Sequence, residues 1–160
     1  MSSYADAKCV GVLSDTHGRL DSAAARALEG VDLIVHAGDV GSERILFELQ
    51  AIAPVVAVQG NMDGFFASWP LAPTAWVNVA GRRIFVTHRF DLSAGRAPGG
   101  ADVVIAGHTH QSKIAWLGST LFVNPGSASR GRSADGRSTV ALVSFAADPL
   151  SAEIVELSSL

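Results

Sequence analysis

The sequence is poor in cysteine, and this limits both its chemistry and its expected location. Its 160 residues contain one cysteine, Cys9. A lone thiol cannot form an internal disulfide, so we expect a reducing compartment, by default the cytoplasm. The same scarcity disfavours a thiolate-bound structural zinc. Because Cys9 lies in an apolar run, we expect it to be a buried core residue rather than a nucleophile.

Long hydrophobic runs and an excess of positive charge are also missing. No apolar run is as long as a membrane span, and residues Met1 to Lys8 lack the apolar core of a signal peptide. The formal net charge of −3 gives no electrostatic basis for nucleic-acid binding, which usually requires a basic stripe. We therefore expect neither a membrane nor a nucleic-acid partner. The chain is 48% hydrophobic and 17% charged, which predicts one globular domain over residues 1–160.

The first sixty residues alternate short apolar runs with helical patterns. Strands are predicted at 9–14, 32–37 and 55–58. Apolar residues between them recur at helical spacing, and Ser42 is a plausible N-cap for the second helix. The two apolar faces comprise Leu20, Ala23, Ala24, Ala27 and Leu28, and Ile45, Leu46, Leu49 and Ile52. This β-α-β-α-β order predicts a parallel sheet with right-handed crossovers.

The second half is rich in strands. They are predicted at 75–79, 83–87, 103–106, 113–117, 120–123, 139–144 and 152–157. Ala80-Gly81 and Gly118-Ser119 are suited to hairpin turns. Residues 129–138 are predicted to form a mobile surface loop. The fold class is therefore α/β, with two mixed sheets packed face to face.

Residues able to bind metals follow several of these strands. The chain has five histidines, and four of them stand where an apolar run stops: His17, His88, His108 and His110. Oxygen ligands stand in similar places: Asp15, Asp39 and Asn61. In open α/β sheets, ligands bind beyond the carboxyl ends of the strands, so we expect five strand ends to bring these side chains to one edge.

The number and type of these side chains predict a two-metal site. Seven ligands are too many for one tetrahedral zinc, but they suit two ions that share a bridging carboxylate. Mixed imidazole and carboxylate ligands favour Mn, Fe, Ni, Co or Zn over Ca. Two ions roughly 3.5–4 Å apart can hold a hydroxide nucleophile and clamp phosphoryl oxygens.

In order along the chain, the motifs resemble those of a known family. Asp15-x-His17, Gly38-Asp39, Gly60-Asn61-x-Asp63, His88 and Gly107-His-x-His110 are similar to the motifs of the calcineurin-like metallophosphoesterases. The resemblance is to the small phosphodiesterases of the YfcE/MJ0936 type in particular. It extends from about residue 8 to residue 145 and includes Asn124-Pro125-Gly126-Ser127.

The resemblance implies a fold, a reaction and a role for each residue. The fold would be a four-layer α/β/β/α sandwich of two mixed sheets, the metallo-dependent phosphatase fold. A hydroxide bridging two divalent metals would attack the phosphorus of a small phosphate ester, with Asp39, Asn61, His88 and Asp63 carrying catalytic roles. Asp63 would orient a ligand or a water. The first metal would bind Asp15, His17 and His110, and the second Asn61, His88 and His108, with Asp39 bridging. Manganese is favoured, and Ni, Fe, Zn, Co or Mg would also fit.

Two departures from the family pattern bear on the substrate. Many relatives carry a histidine directly after the asparagine, where it can protonate the leaving oxygen; this chain has Met62. We therefore expect weak activity on alkyl monoesters and better activity on diesters with good leaving groups. The segment after His88 is also shortened, which predicts a more open site. Arg89 and Asn61 are candidate contacts for the substrate.

Several residues keep more than one interpretation. His36 is expected to be structural rather than a ligand. Arg130 and Arg132 either contact phosphate or belong to a solvated loop. Phe65, Phe66 and Trp69 either line a substrate rim or oligomer interface or simply pack, so a homo-oligomer stays open. The alternative function is a catalytically weak protein-binding scaffold of the same fold, as in a retromer subunit with a degraded metal site.

Overall fold

Two mixed β-sheets form the centre of the fold in the computed structural model, which describes residues 1–129 and 132–157. The five-stranded sheet has the order β11-β10-β2-β3-β4. Its strands are β2 (Cys9–Leu13), β3 (Leu33–His36), β4 (Val55–Ala57), β10 (Thr139–Ser144) and β11 (Ser151–Glu156). Strands β2, β3 and β4 run parallel, as the sequence predicts, and β10 and β11 are antiparallel.

The six-stranded sheet has the order β1-β5-β6-β7-β9-β8. Its strands are β1 (Ser2–Tyr4), β5 (Thr74–Val79), β6 (Arg82–Thr87), β7 (Val103–Ile105), β8 (Lys113–Leu117) and β9 (Thr120–Asn124). Strands β6, β7 and β9 run parallel, while β5–β6 and β8–β9 are the two predicted hairpins.

The two helices cover the outer face of the five-stranded sheet. Helix α1 spans Ser22–Ala27 and α2 spans Glu43–Gln50. The Ser42 side chain caps α2 by accepting a hydrogen bond from the Arg44 backbone N–H, as predicted. The α2 residues Ile45, Leu46 and Leu49 are buried against the sheet. Neither described helix is long and apolar enough to cross a membrane.

The main core lies between the two sheets because the strands alternate their side chains. Val10 and Val12 of β2 meet Val103 and Ile105 of β7 there. Val104 points to the opposite face of β7, where a second cluster packs against Phe122. On that outer face, the described chain offers a 3-10 helix, Leu92–Ala94, instead of an α-helix. This thin layer is the shortened segment after His88.

Strand β1, Cys9 and the loop after residue 128 differ in part from the sequence-based predictions. Strand β1 was not predicted; it pairs with β5, and its three residues carry too little pattern to be recognised alone. Cys9 is half-buried rather than buried, because it begins β2 at the margin of the core. In the described part of the predicted loop, residues 132–137 are mostly exposed but Ser129 and Ser138 are buried, and Arg130 lies outside the described residues.

Candidate metal centre

The predicted ligands follow the carboxyl ends of parallel strands in both sheets. Asp15 and His17 follow β2, Asp39 follows β3, and Asn61 follows β4. His88 follows β6, and the segment from His108 to His110 follows β7. Because the two sheets are packed face to face, these five loops meet at one edge of the sandwich.

Asp15, His17 and His110 form one group of potential ligands. The Asp15 Oδ1 atom lies 3.8 Å from His17 Nε2 and 3.2 Å from His110 Nε2. The other carboxylate oxygen of Asp15 accepts hydrogen bonds from the Ser14 hydroxyl and the His108 backbone N–H. The carboxylate is therefore held by one oxygen and presents the other to the two imidazoles.

Asp39 lies between this group and His88. Its Oδ2 atom is 3.8 Å from His17 Nε2 and 3.4 Å from His88 Nε2. Its Oδ1 atom accepts a hydrogen bond from the Met62 backbone N–H. Ligand atoms of Asp15, Asp39 and His88 all lie within 4.8 Å of one another, so these three form a second possible metal group. Asp15 belongs to both groups, with its Oδ1 atom also 4.0 Å from His88 Nε2, and Asp39 adjoins both through His17 and His88.

Asn61 and His108 extend the site on the His88 side. The Asn61 Oδ1 atom lies 2.9 Å from His88 Nε2 and 3.2 Å from His108 Nδ1. The remaining nitrogen of His88, Nδ1, is 2.7 Å from the Ala37 carbonyl and must donate to it. In the neutral ring, Nε2 is then an acceptor that faces the Asn61 oxygen, another acceptor. A cation shared by these atoms would satisfy both.

A second observation indicates that these side chains are suited to divalent metal ions. Among the described residues, two buried side-chain atoms lack any hydrogen-bond partner: Asp15 Oδ1 and His17 Nε2. Buried polar atoms are normally paired, since leaving one unpaired costs about 1–3 kcal/mol. Both unpaired atoms point into the ligand cluster, and both are chemically suited to a first-row metal.

The backbone at the site is strained. Six non-glycine residues in the described chain have positive φ, and five of them are predicted ligands. These are Asp15 (57°), His17 (49°), Asp39 (54°), His108 (72°) and His110 (61°). Such conformations cost of order 1–3 kcal/mol each and persist where the surrounding structure enforces them. These backbone conformations therefore lower the stability of the protein, and they direct the five side chains towards a common point.

Two glycines are required because the loops approach one another closely. A Cβ atom on Gly60 would lie 2.1 Å from the Asp39 backbone nitrogen, and one on Gly107 would lie 2.0 Å from Ser14 Oγ. Neither position can accept a side chain without moving a loop that carries ligands. These glycines thus set how close the ligands can come.

Burial and nearby positive charge keep the His17 and His108 imidazoles available for metal binding. Burial lowers the pKa of His17, and the positive charge of Arg132 acts in the same direction. Burial also lowers the pKa of His108, aided by the charges of Arg89 and His88. Because metals bind the neutral ring, a lowered pKa extends binding towards acidic pH.

Asp63 and His36 lie outside the ligand cluster and hold its loops. The Asp63 carboxylate accepts hydrogen bonds from the backbone N–H groups of Gly41 and Gly60, so it can orient Asn61 only through the loop. His36 is fully buried. Its ring forms hydrogen bonds with the Thr16 hydroxyl and with the Gly38 backbone N–H. Both contacts are with loops that carry ligands, which agrees with a structural role.

The segment after Asn61 carries exposed apolar side chains. Met62 and Phe65 are 66% and 86% exposed, whereas Phe66 is buried and Trp69 packs against Phe47. Of the three aromatic residues, only Phe65 is therefore free to form a rim. Beside His17, a cavity of about 250 Å³ adjoins the site. It is lined by Thr16, His17, Arg19, Asp21, Ser129 and Arg132.

Comparison with known proteins places the chain in a family. The model of the calcineurin-like phosphoesterase superfamily domain matches residues 9–148. The chain belongs to this superfamily. A probable metallophosphoesterase of Methanothermobacter thermautotrophicus is 36% identical over 159 residues, covering 91% of this chain and 91% of the relative. Family membership implies divalent metal ions, and the cluster described above supplies the candidate ligands.

Solved structures of this superfamily's fold resemble the chain along nearly its whole length. An archaeal phosphodiesterase superposes with a TM-score of 0.76 at 26% identity, covering 92% of this chain and 99% of the other. Vps29 of Chaetomium thermophilum superposes with a TM-score of 0.78 at 20% identity, covering 94% and 89%. The second likeness concerns the fold alone. The predicted arrangement of two mixed sheets is confirmed.

Proposed function

We propose that this calcineurin-like phosphoesterase is a dinuclear metal-dependent phosphodiesterase acting on small phosphate esters. The observation that carries the proposal is the position of Asp39 Oδ2, 3.8 Å from His17 Nε2 and 3.4 Å from His88 Nε2. One ion would bind Asp15, His17 and His110. The other would bind Asn61, His88 and His108, with Asp39 shared between them. Manganese is our first choice among the metals that suit these ligands.

Hydrogen bonds prepare the histidines for this task. When bound, a pair of divalent ions activates water as a nucleophile and neutralises charge on the phosphoryl oxygens. His88 directs Nδ1 to the Ala37 carbonyl, and His110 directs Nδ1 to the Arg132 carbonyl. Each ring therefore presents Nε2 to the cluster in a fixed orientation.

The residues around the cluster suggest which esters it would cleave. Met62 stands beside Asn61 and has no proton to give, so the leaving oxygen must depart without help from this side chain. Diesters with acidic leaving groups meet that condition best. Met62 and Phe65 offer exposed apolar surface for such a group. Arg89 is exposed near His108 and could bind a phosphoryl oxygen.

The cavity beside His17 offers room for the remaining arm of a diester. Arg132 lines this cavity, and its side chain has no ion pair within residues 1–129 and 132–157. Its positive charge contributes to the lowered pKa of His17. Arg132 is therefore placed to meet an anionic substrate, although it is also exposed to solvent.

The proposal is tested by hydrolysis of bis(p-nitrophenyl) phosphate after removal of metals with a chelator. Activity should return with Mn²⁺ or Ni²⁺ and should exceed activity on p-nitrophenyl phosphate. A His17→Ala variant, which loses one ligand, is the matched negative control. If a folded wild-type protein binds Mn²⁺ but cleaves no ester with any divalent metal, the phosphodiesterase proposal is wrong.

The alternative is a protein-binding scaffold of the same fold. Vps29 shares this fold, at an identity that carries no functional argument. Completeness of the ligand set favours catalysis, because all seven predicted ligands converge on one edge of the sandwich. We also propose a cytoplasmic location, on the basis of the single cysteine.

A further inference from the structure

A sixth strand end reaches the site without supplying a ligand. Strand β9 runs parallel to β7 and ends at Asn124, and residues 125–129 continue beside the cluster. The sequence motif Asn124-Pro125-Gly126-Ser127 thus lies where its neighbours carry ligands. The proposed reaction assigns this segment no role.

The Asn124 side chain is almost fully buried, and it hydrogen-bonds to loops through both amide hydrogens and through its carbonyl oxygen. It is 4% exposed. Its Nδ2 atom donates to the Gly107 carbonyl at 3.0 Å and to Thr109 Oγ1 at 3.1 Å. Its Oδ1 atom accepts from the Gly126 backbone N–H at 2.9 Å. The amide therefore ties the loop after β7 to the loop after β9.

The loop held by Asn124 contains two strained ligands. His108 and His110 have φ of 72° and 61°, and the two donated bonds fall on the residues that alternate with them. Left-handed conformations of this kind need a surrounding structure that enforces them. A backbone carbonyl and a threonine hydroxyl fixed by one rigid amide meet that need.

The same segment also holds the opposite ligand loop. Ser127 Oγ donates to the Asp15 carbonyl at 3.0 Å, and the Ala128 backbone N–H donates to the Ser14 carbonyl at 3.0 Å. Ser129 Oγ donates to the Thr16 carbonyl. Residues 124–129 therefore connect the loop of Asp15 and His17 with the loop of His108 and His110.

We propose that Asn124 is a positioning residue that sets the spacing of the metal ligands by fixing the His108–His110 loop. The proposal rests on the proposed function in one respect, since it takes these histidines as ligands. Asn124 touches neither metal nor substrate and acts through the loop. Its loss should lower metal affinity while the fold persists.

The test measures Mn²⁺ binding by isothermal titration calorimetry, with the melting temperature in chelator as a second readout. Asn124→Ala should weaken Mn²⁺ binding by about 10- to 100-fold, the usual cost of losing a group that orients ligands. Thr109→Val is a milder variant that removes one of the two acceptors and should give a smaller loss. Saturating Mn²⁺ should restore much of the diesterase activity of both variants.

Thr120→Val is the matched control. Thr120 lies at the other end of the same strand, and its buried hydroxyl donates to the Ala101 carbonyl at 2.7 Å. This control should lower the melting temperature without changing Mn²⁺ affinity. If Asn124→Ala and Thr109→Val both bind Mn²⁺ like the wild type, the positioning role is overturned. If the wild type binds Mn²⁺ without hydrolysing esters, the function proposal fails and this one is still decided by calorimetry; if the wild type binds no divalent ion, both fail.

Discussion

Replacing His36 with glutamine should reduce the loss of stability that the metal-free protein shows as the pH is lowered. The His36 ring is fully buried between two loops that carry ligands. Its Nδ1 accepts a hydrogen bond from the Gly38 N–H. Thr16 Oγ1 donates its own proton to the Val40 carbonyl, so it must accept from His36 Nε2. This hydrogen-bonding pattern is possible only when the His36 ring is neutral.

The magnitude follows from the change in the His36 pKa. Burial lowers that pKa from 6.5 to about 3. Between the two pKa values, the unfolded state therefore binds a proton on His36 and the native state does not. The free energy of unfolding decreases as the pH falls below the unfolded pKa. The contribution is intact above about pH 6.5, and each pH unit between the two values costs about 1.4 kcal/mol. From about pH 7 to about pH 5, the free energy of unfolding should fall by about 2 kcal/mol through this one group.

The assay is urea unfolding in the presence of a chelator at several pH values, which removes metal binding as a source of stability. His36→Gln should be less stable at neutral pH, because the Gly38 N–H loses its acceptor. Its stability should nevertheless decline about 2 kcal/mol less than that of the wild type over the same range. Thr16→Val is the control, since it removes the partner but keeps the buried imidazole and hence the steep decline. Parallel curves for the wild type and His36→Gln would show that the reasoning is wrong.

Three further predictions concern the proposed reaction. Asp39→Asn should weaken binding of both metals and abolish diester hydrolysis with little change in the circular dichroism spectrum; turnover like that of the wild type would contradict the shared carboxylate. Met62→His should extend hydrolysis to esters with poor leaving groups by supplying a proton donor, typically worth about 10²- to 10⁴-fold, and no gain on alkyl esters would count against this role. Arg89→Ala should raise KM for bis(p-nitrophenyl) phosphate more than it lowers kcat, whereas unchanged kinetics would remove Arg89 from the substrate site.

The fold was largely predictable because its strands and helices differ in local pattern. The segment after Ser42 shows helical spacing and a good cap, and it forms α2. The apolar runs before Asp15 and Asp39 form β2 and β3. Strand β1 escaped prediction because it is short and is stabilised by its pairing with β5. The outer layer of the six-stranded sheet is thinner than an α-helical layer, and its 3-10 helix lies in the segment that the sequence already marks as short.

The roles of residues that brace the site could not be predicted from their positions in the chain. Asp63 lies two residues after Asn61, yet its carboxylate binds the backbone N–H groups of Gly41 and Gly60. Asn124 belongs to a recognisable motif, but nothing local indicates that it reaches Gly107. The Asp63–Gly41 and Asn124–Gly107 contacts join residues 22 and 17 positions apart, and only the folded chain defines them.

The sequence by itself determined which residues are candidate ligands and the order of the strands that precede them. Imidazole, carboxylate and amide groups at successive strand ends carry that information in residue type and local spacing. Only the tertiary structure decided how these groups meet. Five of the candidate ligands occupy left-handed backbone conformations, which are unfavourable for residues other than glycine. Hydrogen bonds from distant loops enforce those conformations, so the geometry of the site is a property of the packed sheets rather than of any single segment.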